Sequence, residues 1–363
     1  MNRFRFDLDG LSTPSERLPL HWSLQGDLAD TLIQLRAIQA FDTRAMSYAI
    51  QRTVRCAARR PIDELFDDLA LHMSMTVHRM DATSLLLDAP GVFVSARGRR
   101  KMDYGSLTFN IWADTVERLE GTRDRILRLV GEQLARREMF TIDWHFHSPS
   151  GLNSASFDET ADPPPVDEAY PTLGGSVAAF VARYLASRET VLILQGPPGT
   201  GKTRLVRAIL AALSTRKGDS ARVLYTADQR ALDNDEIFVE FITGSHDAFV
   251  IEDADHLLMA RAKGNVDLHR FLAIADGVVR AQGRKIIFTT NLPNVGDIDD
   301  ALVRPGRCFA TVRTRALERG EASALALRLG VDVAVPMGQR SISLAAFYKL
   351  VDDSQAASAA ASA

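Results

Sequence analysis

At 363 residues the chain is longer than one hydrophobic core usually serves, which excludes a single small module and predicts two domains. Hydrophobic residues at 46% and charged residues at 25% are ordinary globular composition, and 43 basic against 46 acidic residues give a formal net charge of -3, so there is no global basic footprint for nucleic acid. The two cysteines, Cys56 and Cys308, argue against a disulfide framework and for a reducing cytoplasm, while the absence of an apolar signal region or a run of about eighteen apolar residues predicts a soluble chain without a membrane span.

Residues 1–147 read as an α+β N-terminal domain of unidentified role. Segments 28–41, 46–58 and 62–73 place apolar residues at helical spacing. Segment 84–96 reads as two strands around a Pro-Gly turn, and 106–113 as another strand. A long charged amphipathic helix over 114–138 then leads to a strand over 139–147, which predicts a βαβ unit closing the domain.

Two features of this region invite functional readings. Arg97, Arg99, Arg100 and Lys101 cluster beside Tyr104 and would grip a phosphate backbone, although a charge run between two strands is more simply a solvated hairpin tip. Asp143, His145 and His147 alternate along a strand and would share a face able to meet a metal, but no fourth ligand lies nearby and a half-exposed strand face explains them better.

Between 148 and 168 serine, proline, aspartate and glycine displace the apolar periodicity. The three consecutive prolines favour a stiff extended chain, so this stretch reads as an interdomain linker. From residue 169 the pattern returns, with a helix over 177–187 and then the apolar run VLILQ, 191–195.

That run ends in GPPGTGKT, residues 196–203, which fits the phosphate-loop pattern and opens directly into a helix. Gly196, Gly199 and Gly201 allow backbone turns that point successive N–H groups at phosphate oxygens, with Pro197, Pro198 and Thr200 completing the loop. Lys202 brings a point charge to the β- and γ-phosphates, the Thr203 hydroxyl suits Mg²⁺, and Arg204 follows at the positive end of the helix dipole. These residues predict binding of a nucleoside triphosphate.

Three more short apolar runs, 222–227, 248–253 and 285–291, alternate with helical stretches, the pattern of a parallel sheet covered on both faces. The second delivers Glu252 and Asp253 at a strand end. Counting the run puts Glu252 on the metal side with Thr203 and Asp253 in the slot that polarises the attacking water; the alternative register puts Asp253 on the metal side and Ala254 in the catalytic slot. Asn291 ends the third run, where its amide can hydrogen-bond both the γ-phosphate and the attacking water, holding that water in line. Arg304 and Arg307 flank a Pro-Gly turn and present rigid, permanently charged groups suited to phosphoryl charge. Short helices over 316–329 and 341–351 predict a lid over 315–352, and the alanine- and serine-rich residues 353–363 read as a disordered tail.

GPPGTGKT, the acidic strand end, TTN and ALVRPGR, in that order over about residues 169–350, resemble the AAA family of ATPases. The resemblance implies a P-loop NTPase αβα core over 169–314 with a small helical lid, ATP and Mg²⁺ as ligands, and a homo-oligomeric ring, commonly of six subunits with seven as the alternative. It also implies that Arg304 and Arg307 act on the neighbouring subunit's γ-phosphate and that Asn291 is the first sensor. The Glu-Asp order reverses the family's usual one and is similar to the Bcs1-like branch, as are VIEDAD and FLAIADGV. No aromatic-hydrophobic-glycine loop follows RVLYTA, and Arg340 is the only weak candidate for a second sensor. The expected function is ATP-driven remodelling or translocation of a macromolecule, foremost a protein. The alternatives are a nucleotide-gated scaffold with little turnover and a nucleic-acid-directed motor built on the basic tip near Arg99.

Overall fold

The computed structural model describes residues 50–79, 82–100, 105–131, 139–149, 151–217, 220–259 and 283–361. The predicted helix over 28–41, together with Lys101, Tyr104 and the FLAIADGV segment, lies outside them. The chain divides into two compact units, Met1–Val54 with Ala58–Gln133, and Arg55–Ala57 with Leu134–Ala363.

The first unit carries a five-stranded sheet in the order β1-β5-β4-β3-β2, formed by β1 (Ile50–Ala58), β2 (Thr76–Arg79), β3 (Ser84–Ala89), β4 (Val92–Arg100) and β5 (Gly105–Ala113). The predicted helix over 46–58 is thus corrected: from Ile50 onward it is a strand. Its β-branched residues suit a pleated surface, and pairing beside β5 overrides a weak helical spacing. Helix α1 (Ile62–His72) buries Ile62, Leu65, Phe66 and Leu69, one stripe at helical period. Helix α2 (Val116–Val130) is capped by Thr115, whose hydroxyl accepts from the Arg118 N–H at 3.3 Å. Arg97, Arg99 and Arg100, expected between two strands, lie instead within β4, with Arg97 opposite Thr108 and Arg99 opposite Ser106, because strand pairing with β5 extends through them.

The second unit holds a seven-stranded sheet in the order β12-β8-β11-β10-β9-β6-β7. Its strands are β6 (Met139–Ser148), β7 (Gly151–Thr160), β8 (Val191–Gln195), β9 (Ala221–Thr226), β10 (Ala248–Ile251), β11 (Lys285–Thr290) and β12 (Cys308–Arg313). All neighbouring pairs are parallel except β6 with β7. The predicted α/β class with a parallel sheet is therefore present, but two strands are added beyond β9.

This addition corrects the expected boundaries. Residues 139–147 pair with β9 rather than with β5, so no βαβ unit closes the first domain. Residues 151–160, read as linker, form β7 along the whole length of β6, from Ser148 opposite Gly151 to Met139 opposite Thr160. A terminal strand of a sheet can be polar because pairing with one neighbour satisfies its backbone on that side, and water serves the other.

Helices cover both faces of this sheet. Leu192, Leu194, Val223, Ala248 and Val250 pack with α3 (Val177–Ala186) and α4 (Lys202–Lys217). Val191, Ile193, Leu224, Phe249 and Ile251 pack on the other face with residues from the short α5 (Gln229–Leu232), α6 (Asp235–Thr243), α7 (Asp255–Leu258) and α8 (Asp300–Val303). This alternation is the period-2 pleat of strands buried on both sides.

The lid consists of α9 (Arg319–Leu329), α10 (Leu344–Ala361) and a short antiparallel pair, β13 (Leu317–Glu318) with β14 (Ser341–Ile342). Helix α10 runs through the stretch expected as a disordered tail, since alanine has the highest helix propensity and continues a helix already anchored by buried Phe347 and Val351.

Candidate functional site

The parallel strands β8 to β11 end at one edge of the sheet, and the 196–203 loop sits there. Gly196 has φ +154° and its N–H donates to the Thr290 carbonyl at 3.0 Å; a Cβ at this position would lie 2.1 Å from the Thr314 carbonyl oxygen. Gly199 and Gly201 have φ +76° and +93°, a backbone that side chains disfavour. Thr200 is buried and holds the turn, donating to the Pro197 carbonyl at 2.7 Å. These glycines bring Gly199 against the lid, where the Ala345 N–H donates to the Gly199 carbonyl at 2.9 Å.

A cavity of about 450 Å³ opens at this loop, lined among others by Lys202, Thr203, Glu252, Asp253, Asn291 and Tyr348. Lys202 Nζ donates to the Gly196 carbonyl at 2.6 Å and to Asn291 Oδ1 at 2.8 Å. Burial lowers its pKa, while the carboxylates of Asp253, Asp255 and Glu252 act to hold the charge. Asn291 Nδ2 donates in turn to Asp253 Oδ1 at 2.9 Å. Lysine, amide and carboxylate thus form one continuous polar relay.

Glu252 faces the loop helix. Its Oε1 accepts from the Thr203 hydroxyl at 2.7 Å and its Oε2 from the Tyr225 hydroxyl at 2.8 Å. Asp253 follows with φ +50°, a left-handed conformation uncommon for a residue with a side chain, stabilised where its N–H meets Thr289 Oγ1 at 3.1 Å. Ala254 is fully buried in the core, with its N–H on the Thr289 carbonyl at 2.9 Å. Asp255 accepts from the Thr290 hydroxyl and, at 2.8 Å, from the Asn291 N–H, so it fixes the turn that presents Asn291.

The loop glycines, the helix opening at Lys202 and the paired oxygens of Thr203 and Glu252 fit a triphosphate with a hard divalent cation: backbone N–H groups and Lys202 for phosphate, oxygen donors for Mg²⁺. Arg204 lies in the cavity wall with its guanidinium over the Tyr348 ring at 5.4 Å.

Arg304 and Arg307 are not brought to this cavity. Arg307 precedes β12, its carbonyl accepting from the Val191 N–H at 3.1 Å, so it stands at the start of the parallel strands. The five residues of β8 separate that edge from Gly196, roughly 16 Å at the usual strand rise. Arg304 is exposed, and Arg307 donates to the Ala301 carbonyl at 2.6 Å. Arg340 is also exposed and does not line the cavity.

Asp143 and His145 do share a face of β6, but as part of a buried polar cluster. His145 Nε2 meets Glu240 at 2.9 Å, while Asp143 accepts from Arg222 and from His246, each at 2.8 Å. An arginine on the carboxylate competes with any cation, and no group of three potential metal ligands occurs among the described residues. His147 is exposed.

Sequence reasoning missed Tyr225, Tyr348 and the lid contact at Ala345. Tyr225 lies one residue before the end of β9, at the same sheet edge as the acidic pair, a placement that only the pairing of β9 with β10 reveals.

No helix among the described residues is long and apolar enough to cross a membrane, and both cysteines are free. Residues 192–315 match the model of the ATPase family associated with various cellular activities, AAA. Peroxisomal ATPase PEX6 of Homo sapiens is 31% identical over 134 residues, covering 34% of this chain and 13% of that protein. ATPase family gene 2 protein of Saccharomyces cerevisiae is 34% identical over 126 residues, covering 32% and 16%. A Micrococcus luteus protein described as an AAA ATPase forming ring-shaped complexes is 27% identical over 164 residues, covering 39% and 28%. The matched part is thus a small fraction of each relative. The stretch that matches the AAA family model, residues 192–315, is the one that assembles the phosphate loop, the acidic strand end and Asn291 on one parallel sheet.

Proposed function

We propose that this chain hydrolyses ATP at the 196–203 loop as one subunit of a homo-oligomeric ring, commonly of six, and uses the cycle to remodel or translocate a protein. The observation that carries the reading is the linked set of three contacts at the loop: Thr203 on Glu252, Lys202 on Asn291 and Asn291 on Asp253.

The loop N–H groups, Lys202 and the α4 dipole hold the phosphates. Thr203 and Glu252 would hold Mg²⁺, which would supply neutralisation of the charge developing on the phosphates. Asp253 accepts the proton of the attacking water, and Asn291 fixes both that carboxylate and Lys202. The buried Ala254 supports the register in which Glu252 is the metal-side acid and Asp253 the base.

Arg304 and Arg307 stand at the opposite sheet edge, which suits a role as arginine fingers on the next subunit's γ-phosphate. The Micrococcus luteus relative described as forming ring-shaped complexes favours ring assembly. The Glu252-Asp253 order favours the Bcs1-like branch. The two free cysteines and the lack of a long apolar helix among the described residues favour the cytoplasm.

The test is phosphate release from ATP by the purified chain, with its mass measured with and without nucleotide. Mg²⁺-dependent release that disappears in Lys202→Ala, from a nucleotide-stabilised ring, is expected. A ring that binds ATP without turnover would favour a nucleotide-gated scaffold instead.

A further inference from the structure

The metal-side acid in this chain is a glutamate, one methylene longer than aspartate and with one more rotatable bond. A longer side chain reaches the same point only if something fixes its extra freedom. The structure shows what does so. Val250 pairs with Tyr225 across β10 and β9, so Tyr225 projects from the same sheet face as Val250 and, two residues on, Glu252. Its hydroxyl donates to Glu252 Oε2 at 2.8 Å, leaving Oε1 for the Thr203 hydroxyl at 2.7 Å.

We propose that Tyr225 is a positioning residue for the divalent cation: by tethering one oxygen of Glu252 it presents the other, singly, to the metal side of Thr203. This deepens the ATPase reading and rests on it.

Two further observations support the assignment. Tyrosine has only two side-chain torsions, and the Tyr225 ring is half-buried against the core on the α4 face, so its hydroxyl is a fixed donor. The added strands also matter. β9 would end the parallel sheet if β6 did not pair with it, and Trp144 stands in register opposite Tyr225. The appended hairpin thereby holds β9 as an internal strand at the position where the tether is attached.

The tether also assigns work between the two acids. With Oε2 held by β9, Glu252 cannot swing toward Asn291, which leaves that amide to Asp253. The reversed Glu-Asp order is accommodated by two local devices, a tyrosine brace on the longer acid and a left-handed backbone at the shorter one.

The experiment titrates Mn²⁺ into the full-length protein with ADP, read by the paramagnetic resonance of bound Mn²⁺, together with metal-free ADP affinity. Tyr225→Phe keeps the ring and removes only the hydroxyl, and thermal unfolding checks that it folds as wild type. It is expected to weaken Mn²⁺ binding about tenfold, typical for loss of a group that orients a metal ligand, with metal-free ADP affinity unchanged. In a Glu252→Gln background the same substitution should add little, because the hydroxyl acts through that carboxylate. Unchanged Mn²⁺ affinity in Tyr225→Phe, or an equal weakening in both backgrounds, would overturn this inference while leaving the ATPase reading intact. If the wild type bound no ADP at all, both would fall.

Discussion

Asn291 donates its side-chain amide to the Asp253 carboxylate at 2.9 Å, across the ends of two adjacent parallel strands. The same side chain accepts from Lys202 at 2.8 Å, so one residue sets the distance between the lysine proposed to meet the phosphates and the carboxylate proposed as base. Asn291→Ala removes both restraints. Turnover should fall on the order of 10²-fold, as expected when a reacting group loses its alignment, while ATP affinity by equilibrium fluorescence changes little.

Arg307 immediately precedes β12 at the edge of the sheet remote from the loop, so its effect on hydrolysis should depend on a second chain. Arg307→Ala is expected to lose on the order of 10³-fold in turnover with nucleotide binding retained. Mixing it with Lys202→Ala protein should restore part of the activity, because some junctions then join an intact loop to an intact arginine. Steady-state phosphate release on a mixing series reads this directly, and a flat series would remove the shared-site element.

Lys285 is buried, with Nζ on the carbonyls of Ser187 and Glu189 at 3.0 Å each and 4.6 Å above the Tyr184 ring. Burial, with Arg216 nearby, lowers its pKa from 10.5 to about 8. A lysine with a depressed folded pKa binds fewer protons folded than unfolded between those values. Stability should therefore rise as pH increases from about 8 to 10.5, by at most about 3 kcal/mol, the penalty being fully present below pH 8. Urea midpoints across that range measure it, and Lys285→Met should flatten the rise.

The phosphate site was legible because its determinants are local. Glycine spacing, the apolar run before it and the helix after it are all contained within 191–217, and strand ends at 252 and 291 follow from counting short apolar runs. Strand pairing is not local. The polar run 151–160 has neither alternation nor an apolar face, so nothing in it signalled that β6 would accept it as an antiparallel partner. Tyr225 was hidden for the same reason, since its hydroxyl reaches Glu252 only through the register of β9 on β10. The stretch from Ile50 was misread because Val54, Ala57 and Ala58 suit a helix face as well as a strand, and pairing beside β5 decided between them.

Asp253 is, among the described residues, the one with a side chain held at positive φ, and it contacts Asn291 in the turn after Glu252. The most direct test is single-turnover hydrolysis of ATP by Asp253→Asn, with ATP affinity measured on the same preparation. A loss of at least about 10²-fold in the hydrolysis rate with affinity preserved is the predicted result for removal of a general base. Wild-type hydrolysis in Asp253→Asn would contradict the assignment of Asp253 as that base.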